Sequence, residues 1–388
     1  MKIAEVKTYL IHAPIPERHR VESGAGRKLA RQMCLVEIKT DDGLSGFGSP
    51  SGPYDLGILD RIIRSVIAPH IIGSSAADTE FLWHKLYYGE ILRNVGNRGV
   101  GIAALSGIDM ALWDLKGRAA RKPIYDLLGG LYHQHGVRAY ASSIYWGLNA
   151  EQAAAESVAY VKQDYTAVKL KIGREPLKDV QCLRAIRRAV GTEIDVLVDA
   201  NQSLCRADAL AILPALEEAR VYWFEEPLSI DDIEGHKMLR QARRAVRIAT
   251  GENLYARFAF AEFIRQEALD VLQADVSRAG GFTEVTKIAN LAAAHHLDWN
   301  PHTFNDALTA VANLHLVAAS AHPAMFEWDI TYNDLMTRLV TGPLVLKYGR
   351  LTPPAEPGLG VEIDWDFVKA HSWRGEPSIE LGHGMRGS

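Results

Sequence analysis

No run of about 18 consecutive apolar residues occurs anywhere in the 388-residue sequence, so a chain built on membrane-spanning helices is excluded. An excess of charge is missing as well. With 43 Lys+Arg against 47 Asp+Glu the net charge is −4, which leaves no footprint for nucleic acid or for an anionic membrane. Cysteine is scarce: Cys34, Cys182 and Cys205 are scattered and odd in number, which fits reduced structural thiols and not a disulfide framework or a cysteine nucleophile. The opening MKIAEVKTYL carries Lys2, Glu5 and Lys7, unsuited to the apolar core of a secretion signal, so the expected compartment is the cytoplasm. Low-complexity tracts and long linkers are also lacking. What remains is an ordinary folded composition, long enough for two domains or for one large barrel with additions.

The informative feature is a charge pattern. In AVKLKIG, alternation puts Val168, Leu170 and Ile172 on one face of a strand and Lys169 with Lys171 on the other. In DVLVDANQ, one β/α unit later, Val196, Val198 and Ala200 share a face opposite Asp199 and Asn201. An ionisable residue then closes each further apolar run, at Glu225, Glu252, Asp275, His302 and Glu327. Subtraction gives separations of 28, 26, 27, 23, 27 and 25 residues from Lys171 onward, the length of a strand, a helix and two short loops. One ionisable group per β/α unit describes the catalytic mouth of a (β/α) barrel.

In chain order, strands over 2–11 and 33–40 open an antiparallel sheet, and helices fill Leu56 to Leu128. Asp109 and Asp114 in the helical run are expected to cap or pair, not to catalyse. The barrel starts at Val137, and helices alternate with strands to an eighth strand near Asp329. A proline- and glycine-rich tail then packs back on the first domain. The expected division is therefore a capping α+β domain over 1–128, the barrel over 129–335 and a returning C-terminal segment over 336–388. Between the first two strands lies PERHRVESGAGRK, a loop too long for a tight hairpin. It reads as a lid whose Arg18, His19, Arg20 or Lys28 meets an anionic or polyhydroxylated substrate. Ser51 to Tyr54 form a second candidate wall.

Asp199, Glu225 and Glu252 are three carboxylates on consecutive strands with no His or Cys among them, a donor set that suits Mg²⁺ better than zinc. Glu226 directly follows Glu225 and is expected to point the other way. Lys171 is the candidate base, its pKa expected to be lowered by Lys169 and by partial burial. On the opposite side Asp275 orients His302. Glu327, if protonated, donates a hydrogen bond to developing negative charge. A metal between two bases implies that a carboxylate substrate loses its α-proton and forms an enediolate. Return of a proton from the other face gives racemisation or epimerisation; loss of a β-hydroxyl gives a 2-keto-3-deoxy acid.

The joint pattern of GIDMALWD, Lys169-x-Lys171, DANQ, WFEEP, GEN, Asp275, His302 and Glu327 resembles the enolase superfamily, specifically its mandelate racemase subgroup. The resemblance runs from the first strands to the tail. It implies an α/β fold: a modified (β/α)7β TIM-like barrel with an α+β capping domain formed by the N- and C-terminal segments. It also implies Mg²⁺ on Asp199, Glu225 and Glu252, and acid/base catalysis by Lys171 against His302 and Asp275. By the same carry-over Asn201 contacts the α-hydroxyl or the leaving group and Glu327 the substrate carboxylate. A homo-oligomer, dimer or octamer, is expected from the same source. The polar lid suits hydroxyls and a distal carboxylate better than a phenyl ring. Dehydration of an aldonate or aldarate is therefore the expected reaction, with a racemase or 2-epimerase of a 2-hydroxy acid as the alternative.

Overall fold

The computed structural model describes residues 1–52, 55–321, 325–342 and 344–380. Strands β1 (Ile3–Pro14), β4 (Ala30–Thr40) and β5 (Ser45–Gly48) form an antiparallel sheet in the order β1-β4-β5. The segment between β1 and β4 is not a plain loop. It holds β2 (Glu22–Ser23) and β3 (Gly26–Lys28), a small hairpin whose outer edge pairs with the late strand Ile379–Glu380. Gly26, with φ at 104°, makes that turn possible.

The sheet packs on the helix Val100–Ala120, nearly all of whose faces are buried. Close approach is bought by small residues: a Cβ on Gly48 would lie 2.0 Å from the Gly107 carbonyl oxygen. Asp109 and Asp114 tie the layers together. Asp109 accepts from the Thr283 amide at 2.9 Å; Asp114 accepts from the Phe47 and Leu359 amides at 3.0 and 2.8 Å and from Arg118 at 3.0 Å. Gly281 comes so close to the helix that a Cβ there would meet Asp109 at 2.3 Å.

Eight parallel strands follow: β6 (Val137–Ile144), β7 (Ala167–Lys171), β8 (Asp195–Asp199), β9 (Val221–Glu225), β10 (Arg247–Thr250), β11 (Val271–Leu272), β12 (Asp298–Trp299) and β13 (Met325–Asp329). Seven helices separate them, giving the (β/α)7β barrel. The ladder runs β12-β11-β10-β9-β8-β7-β6-β13. Between β12 and β13 side chains close the ring: Asn300 accepts from the Met325 amide, and Glu327 accepts from the Thr303 amide at 2.9 Å. The tail returns along the cap, where His371 and Leu10 carbonyls accept from His12 and Trp373 amides at 2.7 and 2.9 Å. Among the described residues no helix is long and apolar enough to cross a membrane.

Candidate active site

Alternation along the strands sorts the barrel into an outer and an inner set. Val168, Leu170, Val196, Val198, Phe224 and Phe326 join the core shared with the helices. Tyr140, Ala167, Leu197, Trp223, Ala249, Val271 and Met325 fill the lumen as a separate buried cluster. Two residues further along the same strands come Lys169, Asp199, Glu225 and Glu327, then Lys171 beyond Lys169. The lumen is therefore apolar at its floor and ionic at its C-terminal mouth. Parallel register sets Lys171 against Asp199 and Asp199 against Glu225.

Asp199, Glu225 and Glu252 each present a carboxylate oxygen within 4.8 Å of the others, and all three are buried. Lys171 contacts Asp199 at one end of this triad. At the other end the His302 Nε2 lies 3.3 Å from Glu252 Oε2. His302 Nδ1 is 2.8 Å from Asp275 Oδ2, while the second Asp275 oxygen accepts from the Ser277 amide and hydroxyl at 2.8 Å. Asn313 fixes the pair from behind, donating to the His302 carbonyl at 3.1 Å and accepting from the Val276 amide at 3.1 Å. Glu252, Asp275 and His302 sit in the loops just past β10, β11 and β12, which end two or three residues earlier than each charged group.

Three expectations are corrected by these contacts. Burial is the largest influence and lowers the Lys171 pKa, as does Lys169, but the touching Asp199 carboxylate with Tyr145 and Glu225 together outweigh them, so the ammonium is held above its ordinary value, not below it. Glu327 is not a protonated donor. Burial raises its pKa, yet Lys169 at 2.6 Å, His302 and Lys171 bring it down to about 2, and it accepts from Ser142 Oγ at 2.7 Å. Glu226 does not point away: its φ of 36° breaks the alternation and leaves it at the mouth, where Asn253 and Gln202 donate to it at 2.9 and 3.1 Å.

The donor set fits a hard divalent cation. Asp199, Glu225, Glu226, Glu252, Asp275 and Glu327 are all buried here, facing Lys169, Lys171 and the partly exposed Arg278. Burial and the neighbouring Asp199 raise Glu225 to about 7, and burial with Glu252 raises Glu226 further. A cation bound among these crowded carboxylates would favour their ionised forms, which burial and mutual repulsion otherwise oppose.

The substrate-side residues divide. Asn201 stands beside Asp199, its amide and side chain donating to that carboxylate at 2.8 and 3.3 Å. Arg18 and His19 are exposed, with Arg18 donating to His19 and His19 stacked 5.1 Å from Tyr332; no contact joins either to the triad among the described residues. Tyr54 lies outside the described residues. Arg278 was missed in the sequence. It donates to Ser51 Oγ at 2.9 Å and to the Glu252 carbonyl at 3.3 Å, linking cap and barrel at the triad. Its only sequence signal is its place three residues after Asp275, just ahead of Gly280 and Gly281.

Fold and site together define a capped (β/α)7β barrel with a buried carboxylate triad between a lysine and a histidine at its mouth. The chain belongs to the mandelate racemase/muconate lactonizing enzyme family of the enolase superfamily: residues 6–129 match the N-terminal domain of that family and 151–367 the enolase C-terminal domain-like family. It is 33% identical over 335 residues to an arabinonate dehydratase of Saccharolobus solfataricus, covering 86% of this chain and 88% of that one. A solved structure from Bordetella bronchiseptica RB50, provisionally named a mandelate racemase, is 64% identical with a TM-score of 0.98, covering 99% and 98% of the two chains. A second from that organism, solved with 2-oxoglutarate/phosphate, is 62% identical with a TM-score of 0.92, covering 97% and 99%. A racemase of Streptomyces coelicolor A3(2) with bound magnesium is 27% identical with a TM-score of 0.86, covering 96% and 100%.

Proposed function

We propose that the protein is a Mg²⁺-dependent acid-sugar dehydratase, converting an aldonate or aldarate to a 2-keto-3-deoxy acid. The observation that carries this reading is the placement of Lys171 and His302 at opposite ends of one buried carboxylate triad. Asp199, Glu225 and Glu252 would hold the ion, which supplies Lewis-acid stabilisation of charge on the substrate carboxylate. Lys169, buried beneath them, meets the same carboxylate from the floor, and Glu327 holds that lysine in place. A weaker hold by Asp199 would let burial and Lys169, both of which lower the Lys171 pKa, fit it to take the α-proton.

His302 has the complementary role. Burial lowers its pKa, but Glu252 and Asp275 raise it above the ordinary value, so the ring arrives protonated and Nε2 can give its proton to the departing β-hydroxyl. The C–O bond breaks, water leaves, and the resulting enol becomes the 2-keto acid. Asn201, beside Asp199, is placed to meet the α-hydroxyl or the leaving group. Names among the relatives support this class: arabinonate and D-galactonate dehydratases stand beside a D-galactarolactone cycloisomerase. The relative solved with 2-oxoglutarate supports a site that accepts a 2-oxo acid. The second reading, a racemase or 2-epimerase, uses the same two bases and returns the proton to the opposite face. A homo-oligomer in the cytoplasm belongs to the same proposal. Incubation of the Mg²⁺-loaded protein with mono- and diacid sugars in D₂O tests both readings. Dehydration yields 2-keto products, epimerisation yields deuterated 2-hydroxy acids without them, and neither signal from any acid sugar sinks the proposal.

A further inference from the structure

Four of the five basic side chains on the segment over the barrel mouth have partners of their own. Arg18 and His19 engage each other and Tyr332, Arg20 donates to the Ile15 carbonyl at 3.2 Å, and Arg27 lies 3.9 Å from Glu380. Lys28 alone forms no ion pair and no side-chain hydrogen bond among the described residues.

Its backbone is nevertheless held firmly. The Lys28 amide donates to the Val21 carbonyl at 2.9 Å, and Lys28 pairs with Ile379 in the ladder. The hairpin that carries it is seated on the turn after β8: a Cβ on Gly24 would lie 3.0 Å from the Asn201 carbonyl oxygen and 3.1 Å from Asn201 Cβ. Glu22, the other strand of that hairpin, pairs with Arg174 at 3.0 Å, and its carbonyl accepts from Trp146 at 3.1 Å, so the ends of β6 and β7 hold it too. The seat of the hairpin on the turn after β8 thus puts Lys28 near the mouth, within electrostatic reach of Arg31, Arg278, Glu252 and Lys171. Three of those four are cations, and the carboxylate belongs to the triad. Burial, then Arg31 and Arg278, push the Lys28 ammonium down to about 8. A half-buried cation among cations, with no carboxylate of its own, is stabilised by an anion arriving from outside.

We propose that Lys28 receives the second carboxylate of a diacid substrate, which makes aldarates rather than aldonates the preferred class. This rests on the reading that the first carboxylate sits at the triad over Lys169. A chain-like substrate anchored there extends its far end toward the cap, where Lys28 carries the unspent positive charge.

Calorimetric titration of the Mg²⁺-loaded protein with 2-oxoglutarate and with 2-oxopentanoate isolates the distal carboxylate, because the two probes match at the chelating end. Wild type is expected to bind 2-oxoglutarate tighter by on the order of tenfold to a hundredfold, the value of a charge-assisted contact. Lys28→Met should erase that preference and Lys28→Arg should restore most of it. Equal affinities in wild type, or a preference that survives in Lys28→Met, overturns the assignment. Displacement by inorganic phosphate as tightly as by 2-oxoglutarate, lost in Lys28→Met, overturns it in favour of a phosphoryl group. Binding of 2-oxopentanoate by Lys28→Met serves as the folding control. Turnover is not read in this experiment, so a protein that dehydrates no acid sugar refutes the reaction and leaves the role of Lys28 to be decided by the titration.

Discussion

Lys171 and His302 hold opposite ends of the triad, and substituting each separates two halves of the proposed reaction. Lys171→Ala and His302→Asn should each lower dehydration by at least about a thousandfold, in line with the loss of a general acid or base. One of the two should retain α-proton exchange in D₂O, read by NMR of recovered substrate; wild-type dehydration in both removes the assignment. Glu252→Gln should weaken Mg²⁺ binding, measured by titration, since it deletes one of three clustered carboxylates. Protonation of His302 gives a pH prediction. Its folded pKa is raised, so the stabilisation it contributes is complete below about 6.5 and is lost as pH rises through the folded value. Asp275→Asn removes one of the charges responsible and should move the imidazole titration downward by NMR. That Lys169, Lys171, Asp199 and Glu225 share one face of the barrel was legible from spacing, because period 2 within a strand and one β/α unit between strands fix which side chains share the lumen. Their protonation was not. Lys171 carries its proton tightly because it touches Asp199, and Glu226 stays at the mouth because one residue adopts a left-handed backbone; neither contact has a periodicity to read.

Among the elements, the tightest joint is the one between β5 and the helix Val100–Ala120. Gly48→Ala would drive a methyl into the Gly107 carbonyl oxygen, backbone against backbone, and should cost about 1–3 kcal/mol by chemical denaturation. Unchanged stability would mean that the two layers can slide apart. The seven barrel helices were readable from apolar periodicity, whereas β11 and β12 are only two residues long, and their charged groups ride on loops past the ladder. The hairpin of β2 and β3 was missed for a related reason. Its strands are short and polar, and their pairing partner lies at Ile379–Glu380, hundreds of residues away, so no local pattern announces it.

The molecule as a whole should respond to its ion. A ligand that binds only the folded state raises stability, by about 2.7 kcal/mol at a hundred times its Kd. The thermal midpoint should therefore climb with added Mg²⁺ in wild type and much less in Glu252→Gln; a flat response in wild type favours a barrel that has kept its shape and lost its turnover. The cap is joined to the barrel at many points, but the hairpin bearing Lys28 depends on the tail as well. Leu29 and Ala30 donate to the Ser378 carbonyl at 2.9 and 3.2 Å, beside the rung between Lys28 and Ile379. During synthesis the carboxylate triad can assemble before the ribosome has delivered Ser378, and the hairpin can take its final seat only afterwards. Trimming or tagging the chain near that serine would then loosen the choice of substrate while sparing the chemistry, a handle for retuning selectivity from outside the catalytic centre.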